Sequence, residues 1–92
     1  MTFMLGHFDV GDFDTWKREI FDADPAGRRE AAKGHLISRS VDNPNEVFVR
    51  VEFDSPEEAK SFRDRLLASG ALDNVTVKTP PTVAEVADEE RY

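Results

Sequence analysis

The 92-residue sequence contains no cysteine, which excludes disulfides, thiolate zinc sites, iron–sulfur clusters and cysteine nucleophiles. Folding therefore needs no covalent staple, and a reducing cytoplasm is the expected compartment. Positive charge is scarce: 12 Lys+Arg stand against 19 Asp+Glu, a formal net charge of −7. Nonspecific nucleic-acid binding needs clustered cations that release counterions, so no nucleic-acid partner is expected. No apolar run approaches the roughly 20 residues that span a bilayer, and no membrane partner is expected either. The apolar opening, residues 1–10, lacks a basic leader and is too short for an apolar segment plus a cleavage site, so it reads as a strand rather than a signal peptide. A glycine-rich phosphate loop, a nucleophile elbow and any HxH or HxxxH spacing are all missing.

What is present suffices for one core. The chain exceeds the roughly 70–80 residues below which small domains need extra staples, and 39% of its residues are hydrophobic. We read a single domain over residues 1–87, followed by an acidic tail over 88–92.

Residues 3–10, FMLGHFDV, are rich in β-formers and apolar on both alternating sets, Phe3, Leu5 and His7 on one and Met4, Phe8 and Val10 on the other. That pattern predicts a strand covered on both faces. Phe13, Trp16, Ile20 and Phe21 then recur at helical spacing, with Asp12 as N-cap. Pro25 is expected to kink or restart this helix through Arg28 and Ala32, and Gly34 to end it as a left-handed stop. Residues 35–41 and 47–53 are β-rich and flank Asp42-Asn43-Pro44-Asn45-Glu46, which predicts a hairpin. Ser55-Pro56-Glu57-Glu58 combines a serine N-cap, proline at the first helical position and glutamate at the third. The helix it starts should bury Ala59, Phe62 and Leu66 and stop at Gly70. Residues 75–77 and 82–86 alternate on either side of Pro80-Pro81, and one or both form the last strand.

The order β-α-β-β-α-β predicts an α+β, ferredoxin-like fold: an antiparallel four-stranded sheet in order 4-1-3-2, with both helices on one face. The other face stays bare. A monomer rarely leaves so large an apolar patch uncovered, so two sheets are expected to pack face to face in a homodimer.

Several of these stretches, FMLxH, the pairs Asp12-Phe13, Trp16-Lys17 and Phe21-Asp22, the hairpin DNPNEV, the following VxVEFD and Glu58-Ala59 with Phe62, resemble small bacterial proteins of the dimeric α/β-barrel superfamily. These are cyclase-like proteins near the antibiotic biosynthesis monooxygenases. The resemblance implies the ferredoxin-like fold, a homodimer and a cavity between the two sheets; chemistry varies across such a superfamily. Haem-degrading relatives carry an asparagine where this chain has His7, and a tryptophan and a following histidine where it has Phe62 and no later histidine. The Asn, Trp and Tyr set of the monooxygenases is not met either, since the only Trp is Trp16 and the only Tyr is Tyr92. No prosthetic group is expected.

Strand parity nominates a site. Val47, Val49, Val51 and Phe53 fit packing under the helices, which leaves Phe48, Arg50 and Glu52 on the face shared with a second subunit, beside His7. His7 next to a carboxylate suits a general base, and Arg50 suits an enolate or carboxylate. These four residues, His7, Phe48, Arg50 and Glu52, are the expected ligand-binding set, with His7 as the catalytic candidate. The plainer reading makes Arg50 and Glu52 interfacial ion-pairing groups and His7 a satisfied interface histidine. No metal is expected, because His7 and His35 fall on strands two spacings apart, roughly 9.5 Å, too far to share an ion. Arg28, Arg29 and Lys33 form a short basic cluster, read either as a solvated helix face or as an anion-binding spot at a cavity mouth. Gly6 is expected to mark a bulge or a close approach. Three functions stay open: a small-molecule binder, a cofactor-free monooxygenase or cyclase, and a structural or regulatory dimer.

Overall fold

A computed structural model describes residues 1–92. Four strands, β1 (Thr2–Asp9), β2 (Gly34–Arg39), β3 (Glu46–Phe53) and β4 (Thr76–Glu85), form one antiparallel sheet in the order β2-β3-β1-β4. This is the expected ferredoxin-like order read from the other edge. The helices α1 (Phe13–Trp16), α2 (Arg28–Ala31) and α3 (Pro56–Ala68) lie over one face. No helix is long and apolar enough to cross a membrane.

Alternation decides which side chains face the helices. On β3, Val47, Val49, Val51 and Phe53 are buried, and on β1 Thr2, Met4 and Phe8 are buried with them. From the helical layer Trp16, Phe21, Ala59 and Phe62 close the same core, with Phe53 and Phe62 ring centres 5.4 Å apart. The opposite parity, Phe3, Leu5 and His7 paired with Glu52, Arg50 and Phe48, forms the bare face. There Leu5, Leu36 and Phe48 remain exposed at 38%, 50% and 44%.

The caps behave as their chemistry requires. Asp12 accepts from the Thr15 amide at 2.9 Å, and that bond holds the Asp12 carboxyl below the usual carboxylate range. Ser55 Oγ accepts from the Glu58 amide at 3.2 Å, one half of a capping box. Gly70 ends α3 with φ +80°.

Between α1 and α2 the helix breaks and restarts after Pro25 as a shorter piece, the second of the two expected outcomes. α1 continues into a π-helical turn (Lys17–Phe21), closed by the Asp22 amide donating to the Lys17 carbonyl five residues back at 2.9 Å. A five-residue step brings Trp16 and Phe21 into line on one side, with ring centres 5.4 Å apart. Asp24 then adopts φ +55°, and its carboxylate accepts from the backbone amides of Arg28 at 2.7 Å and Arg29 at 3.2 Å. Those two bonds cap α2 and offset the left-handed strain. Gly34 is not the stop expected of it. α2 ends at an extended Ala32, and Gly34 opens β2 without a positive φ; the left-handed glycine is Gly27, at the start of α2.

β4 runs through Pro80-Pro81 without a break, so both alternating segments belong to one strand. Leu5 pairs with Thr82 and His7 with Thr79, which sets Gly6 alone against the two prolines in a β-bulge. A second register shift, between His7 and Phe8, follows at once. A side chain, not a ligand or backbone, also approaches Gly6: the Phe8 ring lies over it where a Cβ would stand.

Candidate functional site

The expected residues do share the bare face, in two groups. His7 and Phe48 stack with ring centres 4.1 Å apart and 17° between planes. His7 Nε2 and Glu46 Oε1 lie 2.5 Å apart, both groups about three-quarters shielded. The carboxylate beside His7 is therefore Glu46, the first residue of β3, and not Glu52. Glu52 faces Phe3 across the ladder and pairs with Lys33 at 3.7 Å. Arg50 stands over the Phe3 ring at 4.7 Å. Leu5, His7, Leu36, Phe48, Arg50 and Thr79 line an open depression of about 400 Å³ between these groups.

The two histidines lie on opposite faces of the sheet. β2 directs His35, paired with Val51, toward the helices, where it meets the Phe21 ring edge-on at 4.9 Å. His35 keeps an exposed edge, and partial desolvation against Phe21, then the neighbouring Arg28 and Lys17 cations, hold its pKa below the usual 6.5.

A more enclosed cavity, about 60 Å³, lies on this helical side. Twelve of its sixteen lining residues are hydrophobic, among them Met4, Phe8, Trp16, Ile20, Phe21 and Phe62. Gly6 forms part of the floor, and the α1–π-turn geometry supplies Trp16 and Phe21 to one wall. Arg28 closes the rim. It is only 5% exposed, so it is no solvated helix position. Its guanidinium sits 3.7 Å from the Phe21 ring centre and donates to the Phe21 carbonyl at 3.1 Å. Burial pulls its pKa below the usual guanidinium range.

Sequence reasoning missed this cavity because it looked for one between two sheets. A usable signal was present in Trp16, Phe21 and Arg28, apolar and cationic residues around a Pro-Gly interruption of the helical layer.

No protein-family model matches the chain, and no curated protein does. Among solved structures, the chain is similar to one described as "Putative antibiotic biosynthesis monooxygenase from Nitrosomonas europaea", with TM-score 0.51 over 91% of this chain and 94% of that one. At 13% identity the likeness is one of fold.

Proposed function

We propose that this ferredoxin-like chain acts as a cytoplasmic homodimer that binds a small, partly apolar molecule in the cavity between its helices and its sheet. The cavity carries the reading: it combines apolar walls, an aromatic side and one buried cation, the composition of a small-molecule site. At about 60 Å³ it is smaller than the roughly 150 Å³ that accepts a benzene, so it suits a slender apolar end. Exposed Leu5, Leu36 and Phe48 on the bare face support the dimer, since two such sheets bury one another's apolar patches. Native mass spectrometry of the purified protein tests both parts. A species at twice the 10.4 kDa chain mass that carries a small molecule is expected. Ala26→Leu, which fills the cavity, should release the molecule and leave the dimer. A 10.4 kDa species alone would end the dimer reading, and a molecule retained by the filled variant would end the cavity reading.

A second reading rests on the His7–Glu46 pair. A carboxylate that close makes the imidazole a candidate general base on the bare-face depression, with Arg50 at the same depression to hold an anionic intermediate. A cofactor-free monooxygenase, with dioxygen as oxidant, or a cyclase fits this geometry. The monooxygenase description of the Nitrosomonas europaea protein leans the same way. Turnover of an electron-rich polyphenol that falls more than tenfold in His7→Ala, per folded dimer, supports it. Equal turnover in the variant rejects it.

A further inference from the structure

The helical side carries a second concavity that the apolar cavity does not account for. It is a depression of about 210 Å³ lined by Arg28, Arg29, Ala32, Lys33, Gly34 and His35, with no carboxylate in its wall. Such a wall runs against the composition of a chain with net charge −7. Arg28 lines both concavities, so the two meet at this one residue.

The nearby carboxylates leave this charge largely uncompensated. Asp24 lies 3.9 Å from Arg28 but spends its oxygens on the two backbone amides of α2. Asp22 is held by Lys17 at 2.6 Å. Lys33 reaches Glu52 and Asp54 only at 3.7 and 3.5 Å, with its side chain half exposed, and exposed pairs of that kind are weak and easily exchanged. The Arg29 guanidinium makes no ion pair or hydrogen bond. The His35 pKa is lowered first by desolvation and then by the same cations, Arg28, Lys17 and Arg29, against Asp22.

We propose that the ligand of the apolar cavity is a carboxylic acid, whose carboxylate docks on Arg29, Lys33 and His35 while its apolar end passes Arg28 into the cavity. The inference rests on the cavity reading above and names its ligand class. A guanidinium fork matches a carboxylate. Phosphate sites, in contrast, commonly use free backbone amides at a helix start, and here Asp24 already occupies those of α2.

Octanoate and octan-1-ol form a matched pair of slender probes that differ in the charged end. Trp16 is the only tryptophan and lines the cavity, so its emission reports occupancy directly. Octanoate should bind the wild-type protein at least tenfold more tightly than octan-1-ol. The Arg29→Glu/Lys33→Glu double variant should lose that advantage at least tenfold and bind octan-1-ol as before. The milder Arg29→Gln/Lys33→Gln variant, with circular dichroism as the check on folding, gives the same comparison if charge reversal unfolds the chain. Equal affinities for the two probes, or an octanoate affinity indifferent to both variants, overturn the carboxylate subsite and leave the cavity reading intact. If neither probe alters Trp16 emission, both readings fall. If octanoate shifts only the His35 ring resonances, the link between the concavities is refuted together with the cavity reading.

Discussion

Arg28 and Phe21 hold each other twice: the guanidinium carbon stands 3.7 Å from the centre of the Phe21 ring, and Nη1 donates to the Phe21 carbonyl oxygen at 3.1 Å. One side chain thereby ties α2 to the end of the π-helical turn and fixes the rim of the apolar cavity.

Arg28→Met should therefore be destabilising despite its similar length. A desolvated cation–π contact is worth about 2 kcal/mol and a hydrogen bond from a charged donor about 1.5–3 kcal/mol. We expect a net loss of about 2–4 kcal/mol, because the methionine recovers part of the packing. Urea unfolding measures it. A loss below about 0.5 kcal/mol would mean that this contact is not what fixes the rim.

Ser55→Ala removes the oxygen that the Glu58 amide donates to, and no Glu58 side-chain bond takes over its work. The cost should be about 1 kcal/mol. In a domain of this size the melting temperature should fall by about 4–8 °C, and Ser55→Asp should restore most of it. An unchanged midpoint would show that α3 does not depend on this cap.

Gly6→Ala tests the cavity floor. The new Cβ would stand 2.5 Å from the Phe8 ring, closer than any real contact allows, so the ring must move or the strand must shift. Overpacking of this kind costs about 1–3 kcal/mol. Combining Gly6→Ala with Phe8→Leu should recover part of the loss in thermal unfolding, a coupling that independent sites would not show.

His35 should add a small acid sensitivity to the fold just below neutrality, since the residue is exposed and its shift is screened by solvent. Its folded-state pKa lies below the unfolded value of 6.5, so the native state resists the proton that the unfolded chain accepts. Stability attached to this group is complete above pH 6.5 and is lost as pH falls from there through the folded pKa. The ring resonances of His35 should titrate below 6.5 in the folded protein, and His35→Phe should flatten the fall in urea midpoint across that window. A titration at or above 6.5 would contradict both the desolvation of the ring and the positive field around it.

Much of the fold was legible because period-two alternation leaves little freedom. The valines of β3 and the two apolar sets of β1 each have one compatible side, which fixes the faces once strand order is known. Ser55-Pro56 and Gly70 marked α3 because caps are local chemistry. The partner of His7 was not legible. Glu46 sits at the first position of β3, inside what reads as the hairpin loop, and it reaches His7 diagonally rather than across the ladder. Arg28 was legible only as a charge. Its burial depends on a π-helical turn and a left-handed Asp24, and both arise from tertiary packing that no short window of sequence encodes.

The prolines of β4 bear on what this free sheet edge can template. A free sheet edge is a template on which strands of other copies polymerise, and it works only where outward amides recur in step. Pro80 and Pro81 have no amide to offer in either direction, and two register shifts in succession bend the strand around them. Fibrillar growth by strand addition is thus interrupted at mid-strand along this border. Replacing both prolines with threonine would lengthen the template, with faster seeding of aggregates as the cost.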